Sequence, residues 1–145
     1  MSDFRKLTET VFASPQIAVA DVSTAQAMGV ALIVNNRPDD EEPGQLTGAA
    51  IEAAARGAGL GYVAIPVTHA GFSMPQVQAM ADALAGAEGP VLAYCRSGTR
   101  STLLWALAEA MRGADPEDLA RAAAQAGYDL TPVRAAMDAL AAGER

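Results

Sequence analysis

The sequence contains one cysteine and one histidine among its 145 residues. A lone thiol cannot close an internal disulfide and is at home in a reducing compartment, so the cytoplasm is the expected location. One histidine and one cysteine do not make a ligand set, and neither a metal nor another cofactor is expected. No apolar stretch approaches the roughly 20 residues needed to cross a bilayer. The N-terminal Met-Ser-Asp-Phe-Arg-Lys leads into no apolar signal segment, so no membrane partner is expected. Basic charge is also short: the net charge of −7 argues against a nucleic-acid partner, which needs a basic face. A few local donors could still hold a small anion. Aromatic residues make up only 5%, leaving Trp105, Phe4, Phe12, Phe72 and three tyrosines as the notable bulk.

What is present is globular in character, with 51% hydrophobic and 19% charged residues. The length suits one domain, residues 1–145, with a proper core. Much of the apolar share is alanine, which favours close-packed helices. Two short apolar pieces, around residues 4–7 and 11–13, predict an N-terminal hairpin, ended by Ser14-Pro15. Asp21 is expected to N-cap a helix over 22–28, stopped by Gly29. Residues 30–34 form an unbroken apolar run of strand length, as expected for a strand buried on both faces. Thr47 predicts the start of an alanine-rich helix to residue 58, and 60–65 reads as a second core strand. Ser73 caps a helix over 74–85, with Pro75 tolerated in its first turn. Residues 91–94 form a third strand, followed by a helix over 99–112. Asp115-Pro116 and Thr131-Pro132 each resemble an N-cap with proline at the first helical position, opening two last helices separated by Gly127. This alternation predicts an α/β fold: a mostly parallel central sheet flanked by helices.

The chemistry concentrates in Tyr94-Cys95-Arg96-Ser97-Gly98-Thr99-Arg100-Ser101. A buried strand would deliver Cys95 to the C-terminal edge of the sheet, where open α/β folds bind ligands. Gly98 allows a tight loop whose N–H groups can turn inward on an anion. The following helix aims its positive end at the same point, and Arg100 adds a fork suited to oxyanions. Arg96, Ser97, Gly98, Thr99 and Arg100 thus form the candidate anion cradle, and Cys95 is expected to be a nucleophilic thiolate. Ser101 is expected to donate to the sulfur. The alternative for Cys95 is a small buried hydrophobe ending a strand, and for Arg96 a solvated loop residue.

With Asn35-Asn36-Arg37-Pro38-Asp39, acidic residues to Glu42 and Pro43-Gly44, this loop resembles the bacterial beta-lactamase hydrolase-like, phosphatase-like domain. The similarity runs from about residue 4 to residue 130. It implies a fold like that of dual-specificity and tyrosine phosphatases, with Cys95 as nucleophile and Arg100 binding the oxyanion. Two features depart from those phosphatases. They place one residue more between cysteine and arginine; the four here, residues 96–99, match rhodanese-type sulfurtransferase loops. They also usually supply an aspartate from an upstream loop, whereas residues 65–72 contain no acid. His69 is the one ionisable candidate there, able to protonate a leaving oxygen or simply to sit on a surface loop. Asn35, Asn36 and Arg37 could contact substrate or brace the cysteine loop, or form an Asn-driven turn. Residues 39–42 are expected to face solvent, with Asp39 or Asp40 as remote substitutes for the missing acid.

Three functions follow. Cys95 could attack a phosphate monoester in a small phosphorylated substrate. It could instead exchange sulfane sulfur with a sulfur donor or acceptor, forming a persulfide; the short loop and missing aspartate favour that chemistry. Or the cradle could bind an anion or dock a partner without turnover. Resemblance over most of the chain places phosphatase-like hydrolysis first.

Overall fold

The computed structural model describes residues 2–143, leaving Met1, Glu144 and Arg145 of the expected domain outside the described residues. The strands are β1 (Arg5–Thr8), β2 (Val11–Ser14), β3 (Leu32–Asn35), β4 (Gly61–Ala64) and β5 (Val91–Tyr94). They form one sheet in the order β1-β2-β5-β3-β4. The predicted hairpin β1–β2 is antiparallel, and β2, β5, β3 and β4 run parallel. The helices are α1 (Val19–Ala27), α2 (Gly48–Gly57), α3 (Met74–Gly86), α4 (Thr99–Met111), α5 (Pro116–Gln125) and α6 (Arg134–Ala141). The last strand, β5, inserts between β2 and β3, so the loop after it leaves the middle of the sheet with parallel neighbours on both sides.

The alternation of side chains along β5 divides the core into two layers. Val91 and Ala93 join one apolar cluster with residues of α3, α4, α5 and α6. Leu92 and Tyr94 join a second, with Ile33 of β3, Val22 of α1 and Ile51 of α2. All four β5 residues are buried, which is why the segment reads as continuous apolar sequence. Helix α4 lies under α3, α5 and α6, and ten of its residues are buried, from Arg100 to Ala110. It therefore enters the core directly from the cysteine loop.

Local signals mostly set the helix starts. The Thr47 hydroxyl accepts from Ala50 N, Ser73 forms a reciprocal cap with Gln76, and Asp115 accepts from Glu117 N. Two starts differ from expectation. α1 begins at Val19, and Asp21 sits inside its first turn, where its carboxylate accepts from Ala18 N at 2.7 Å. Aspartate satisfies a free helix-start N–H from either position, so its residue type alone does not fix the boundary. Thr131-Pro132 opens a 3-10 turn, Thr131–Val133, rather than an α-helix. There Asp129 accepts from both the N–H and the hydroxyl of Thr131, and α6 begins only at Arg134.

Trp105 of α4 is fully buried, and its indole N–H has no acceptor among the described residues. The ring therefore stabilises by apolar burial while its polar edge works against it. Trp105→Ala should lower stability by about 3–5 kcal/mol through the cavity it leaves. Trp105→Phe should cost much less, because the orphan N–H goes with the lost volume. Urea unfolding of both variants checks the contrast.

Candidate active site

Cys95 follows β5 and is buried, its N–H bonded to Ser14 O of β2 at 3.3 Å. The loop turns at Gly98, the N-cap of α4, whose φ of 91° suits glycine. That turn brings the Gly98 N–H onto Cys95 Sγ at 3.1 Å. The rest of the loop is tied to itself. Thr102 bonds the Gly98 carbonyl through its hydroxyl, Ser97 Oγ meets Thr99 Oγ1, and Thr99 N donates back to Ser97 Oγ. The sulfur thus sits at a helix N-terminus and faces an inward N–H, where negative charge is favoured.

Arg100 lies in the first turn of α4 with its side chain 11% exposed. Its Nη1 donates to Glu41 Oε2 at 2.7 Å and to Val67 O at 2.6 Å, and its Nη2 donates to Glu41 Oε1 at 2.8 Å. A guanidinium has five N–H donors. Glu41 takes the terminal fork, leaving Nε–H and the second Nη2 hydrogen, the side fork suited to a bidentate oxyanion. Hydrogen bonds to Glu41 raise the Arg100 pKa against the effect of burial, and the nearby Cys95 adds to the rise.

Glu41 corrects the expectation that the acidic run faces solvent. Its side chain is 14% exposed and also accepts from Arg37 Nε at 2.8 Å. Hydrogen bonding to Arg100, then to Arg37, holds its carboxyl at about 2 despite burial. Its carboxylate thus serves as the ion-pair partner of both arginines. Asp39 is committed elsewhere, accepting from Gly48 N at the start of α2. Sequence gave little warning, since the run sits in a non-helical turn where periodicity says nothing about direction. The four-residue step from Arg37 to Glu41 was the available hint.

The segment after β3 braces the site. Asn36 donates to Ile65 O and accepts from Ser101 Oγ at 2.8 Å. This corrects the expected role of Ser101: its recorded donation is to Asn36 rather than to the sulfur, joining α4 to the end of β3. Asn35 accepts from Arg37 N and donates to the Tyr62 hydroxyl. Arg37, 3% exposed, also reaches Gln16 and Glu42. These residues hold loops together and are buried.

His69 and Arg96 stand in the open. Both line a cleft of about 300 Å³ with Phe72, Ser97, Thr99 and Arg100. His69 is exposed. Arg96 is exposed too and pairs loosely with Glu42 at 3.7 Å, as expected of a solvated loop arginine. A larger cleft, about 710 Å³, lies near the starts of β3 and β4 beside α3 and contains none of these residues. Among the described residues, no group of His, Cys, Asp and Glu is arranged to hold a metal, and no helix is long and apolar enough to cross a membrane.

A cysteine loop between a central parallel strand and a buried helix defines a phosphatase-like α/β architecture, and solved structures agree. A candidate phosphatase from Neisseria meningitidis aligns over 97% of this chain and 99% of its own, at 35% identity and a TM-score of 0.83. TpbA of P. aeruginosa, in complex with pTyr, aligns over 97% of this chain and 89% of its own at 19% identity and a TM-score of 0.68, a likeness of fold. The family model for the beta-lactamase hydrolase-like protein, phosphatase-like domain matches residues 3–112, and the chain belongs to that family. A beta-lactamase hydrolase-like protein of Agrobacterium fabrum is 36% identical over 129 residues, 86% of this chain but 29% of the relative. One from Xylella fastidiosa is 44% identical over 103 residues, 70% of this chain and 24% of the relative. The chain thus spans under a third of these curated relatives.

The Glu41 contacts have a measurable consequence. Because its folded pKa lies near 2, below the ordinary 4.5, its stabilisation is complete above about pH 4.5 and disappears as pH falls towards 2. Glu41→Gln should lower neutral-pH stability by about 3 kcal/mol, since it leaves two buried guanidiniums undercompensated. It should also flatten the acid limb of stability against pH, measured by urea unfolding at stepped pH.

Proposed function

We propose that the chain is a cysteine-dependent phosphatase acting on small phosphorylated substrates. The observation that carries this reading is the Gly98 N–H on Cys95 Sγ at 3.1 Å, at the N-terminus of α4 and beside the Arg100 guanidinium. Such a setting favours a thiolate and, once substrate enters, an anion. Sγ attacks phosphorus in line, forming the S–P bond as the bond to the leaving oxygen breaks. His69, which lines a cleft with Arg96, Ser97, Thr99 and Arg100, gives that oxygen its proton. Water then attacks phosphorus, the S–P bond breaks, and inorganic phosphate leaves with the thiolate restored. Arg100 and the 96–99 loop hold the equatorial oxygens, and Arg96 draws the anion in.

Sulfur transfer is the second reading, favoured by the four residues between Cys95 and Arg100 and by the absence of an acid in residues 65–72. A persulfide needs a smaller cradle and no comparable proton donor. Both reactions depend on Cys95; a binding module needs neither.

Aryl phosphate hydrolysis should be abolished by Cys95→Ser and reduced roughly 10²- to 10³-fold in kcat/KM by Arg100→Lys, which loses the planar fork. Thiocyanate formation from thiosulfate and cyanide, with a sulfur added to Cys95 by mass, would replace this reading with the second. Silence in both assays would favour the binding module. His69→Gln should lower kcat roughly 10- to 100-fold for substrates with poor leaving groups and little for activated aryl esters. Equal losses for both substrate types would remove His69 as the proton donor.

A further inference from the structure

We propose that Tyr128 is a positioning residue for Cys95, acting through the Ser97–Gly98 peptide; this rests on the reading of Cys95 as a thiolate nucleophile. The Tyr128 hydroxyl donates to Ser97 O at 3.1 Å. The N–H of that same peptide unit, on Gly98, is the one that donates to Cys95 Sγ at 3.1 Å. A trans peptide is rigid, with its C=O and N–H pointing in opposite directions. Holding the carbonyl on the tyrosine therefore holds the N–H on the sulfur. Were the unit to rotate, its carbonyl would turn towards the sulfur and its dipole would oppose the thiolate.

The tyrosine is itself held in place. It is 8% exposed and lies beyond residues 3–112 matched by the family model. Its N–H bonds Ala123 O of α5 at 2.9 Å. The Arg5 guanidinium of β1 lies 5.1 Å from its ring centroid, and Arg5 also reaches Ala126 O. Burial raises the phenol's pKa against the lowering effect of Arg5, so the hydroxyl keeps its proton and remains a donor. Contact with the loop is close: a Cβ on Gly98 would sit 2.1 Å from the Tyr128 oxygen. The tyrosine thus fills the space behind the turn that a side chain at residue 98 would need.

Other charged and polar groups surround the loop. Arg100 faces the sulfur from α4, with Glu41 compensating that charge from the loop after β3. Arg96 stands on the cysteine loop, and His69 lies across the cleft from the segment after β4. From β2 the Ser14 carbonyl accepts from the Cys95 backbone N–H rather than touching the sulfur. Tyr128→Phe leaves all of these in place and removes one hydroxyl.

The test is an ultraviolet titration of thiolate absorbance in wild type and Tyr128→Phe, each read against a Cys95→Ser blank. With one cysteine in the chain, the signal belongs to Cys95. The midpoint should move up by roughly half a unit to one unit in Tyr128→Phe, and the acid limb of kcat/KM should follow it. Replacing Tyr128 with 4-aminophenylalanine, which keeps a donor at the same position, should bring the midpoint back towards wild type. If Tyr128→Phe does not fold, 4-fluorophenylalanine, close to tyrosine in size but without the donor, takes its place. An unmoved midpoint, or one that moves equally in the donor-retaining variant, overturns the proposal. A moved midpoint in a protein inactive towards phosphate esters would support Tyr128 and count against the phosphatase reading alone.

Discussion

Burying a guanidinium is costly unless its charge is matched, and this molecule buries two at one edge of its sheet. Arg37 and Arg100 come from opposite sides of the site, one from the turn after β3 and the other from the first turn of α4. One carboxylate, Glu41, accepts from both. The position of Arg100 therefore depends on how the acidic turn folds. That turn is fixed in its own right: Gln45 accepts from Glu41 N and donates to Pro38 O, while Asp39 is tied to the start of α2. The cysteine loop inherits a geometry assembled some 60 residues earlier in the chain.

This arrangement separates two tasks in the role proposed for Arg100. Glu41 occupies the terminal fork and fixes the guanidinium plane, and Val67 O anchors it further. The side fork is left for an incoming oxyanion. A flexible cation would lose entropy on each binding event, whereas a pre-oriented one does not. The same logic applies to the Ser97–Gly98 peptide, whose carbonyl is held by Tyr128 while its N–H meets the sulfur. In both cases one end of a rigid group is engaged by the scaffold and the group also acts on Cys95.

Much of the architecture was legible because strand and helix signals are local. The buried run at 91–94, the caps at Thr47, Ser73 and Asp115, and the glycine at 98 each act through their immediate neighbours. Cys95, Gly98 and Arg100 were readable together because they lie within six residues of one another. Glu41 was misread because its burial depends on two arginines, one of them 59 positions away. Ser101 was misassigned for a similar reason: its acceptor, Asn36, is 65 positions distant. Tyr128 left no signal, since nothing in a tyrosine after Gly127 indicates that its hydroxyl meets a loop carbonyl. What the sequence concealed was the long-range bracing around a locally encoded loop.

That bracing bears on how far the cradle can adapt. A loop with four residues between cysteine and arginine has fewer amides to offer an anion than a longer one, so each amide must be better placed. Here the turn is held at Ser97 by Tyr128, at Gly98 by Thr102, and at Arg96, whose carbonyl accepts from Gln16 N. A phosphate must then be met by this fixed set of amides together with the Arg100 side fork, with little expansion of the loop. The side fork becomes decisive, because two parallel donors can replace contacts that a longer loop would have supplied from its backbone. A persulfide makes no such demand, as its outer sulfur carries a single charge. The proposed phosphoryl–cysteine intermediate would still need the Arg100 side fork on its oxygens, whereas a cysteine persulfide would not, and there the two chemistries divide.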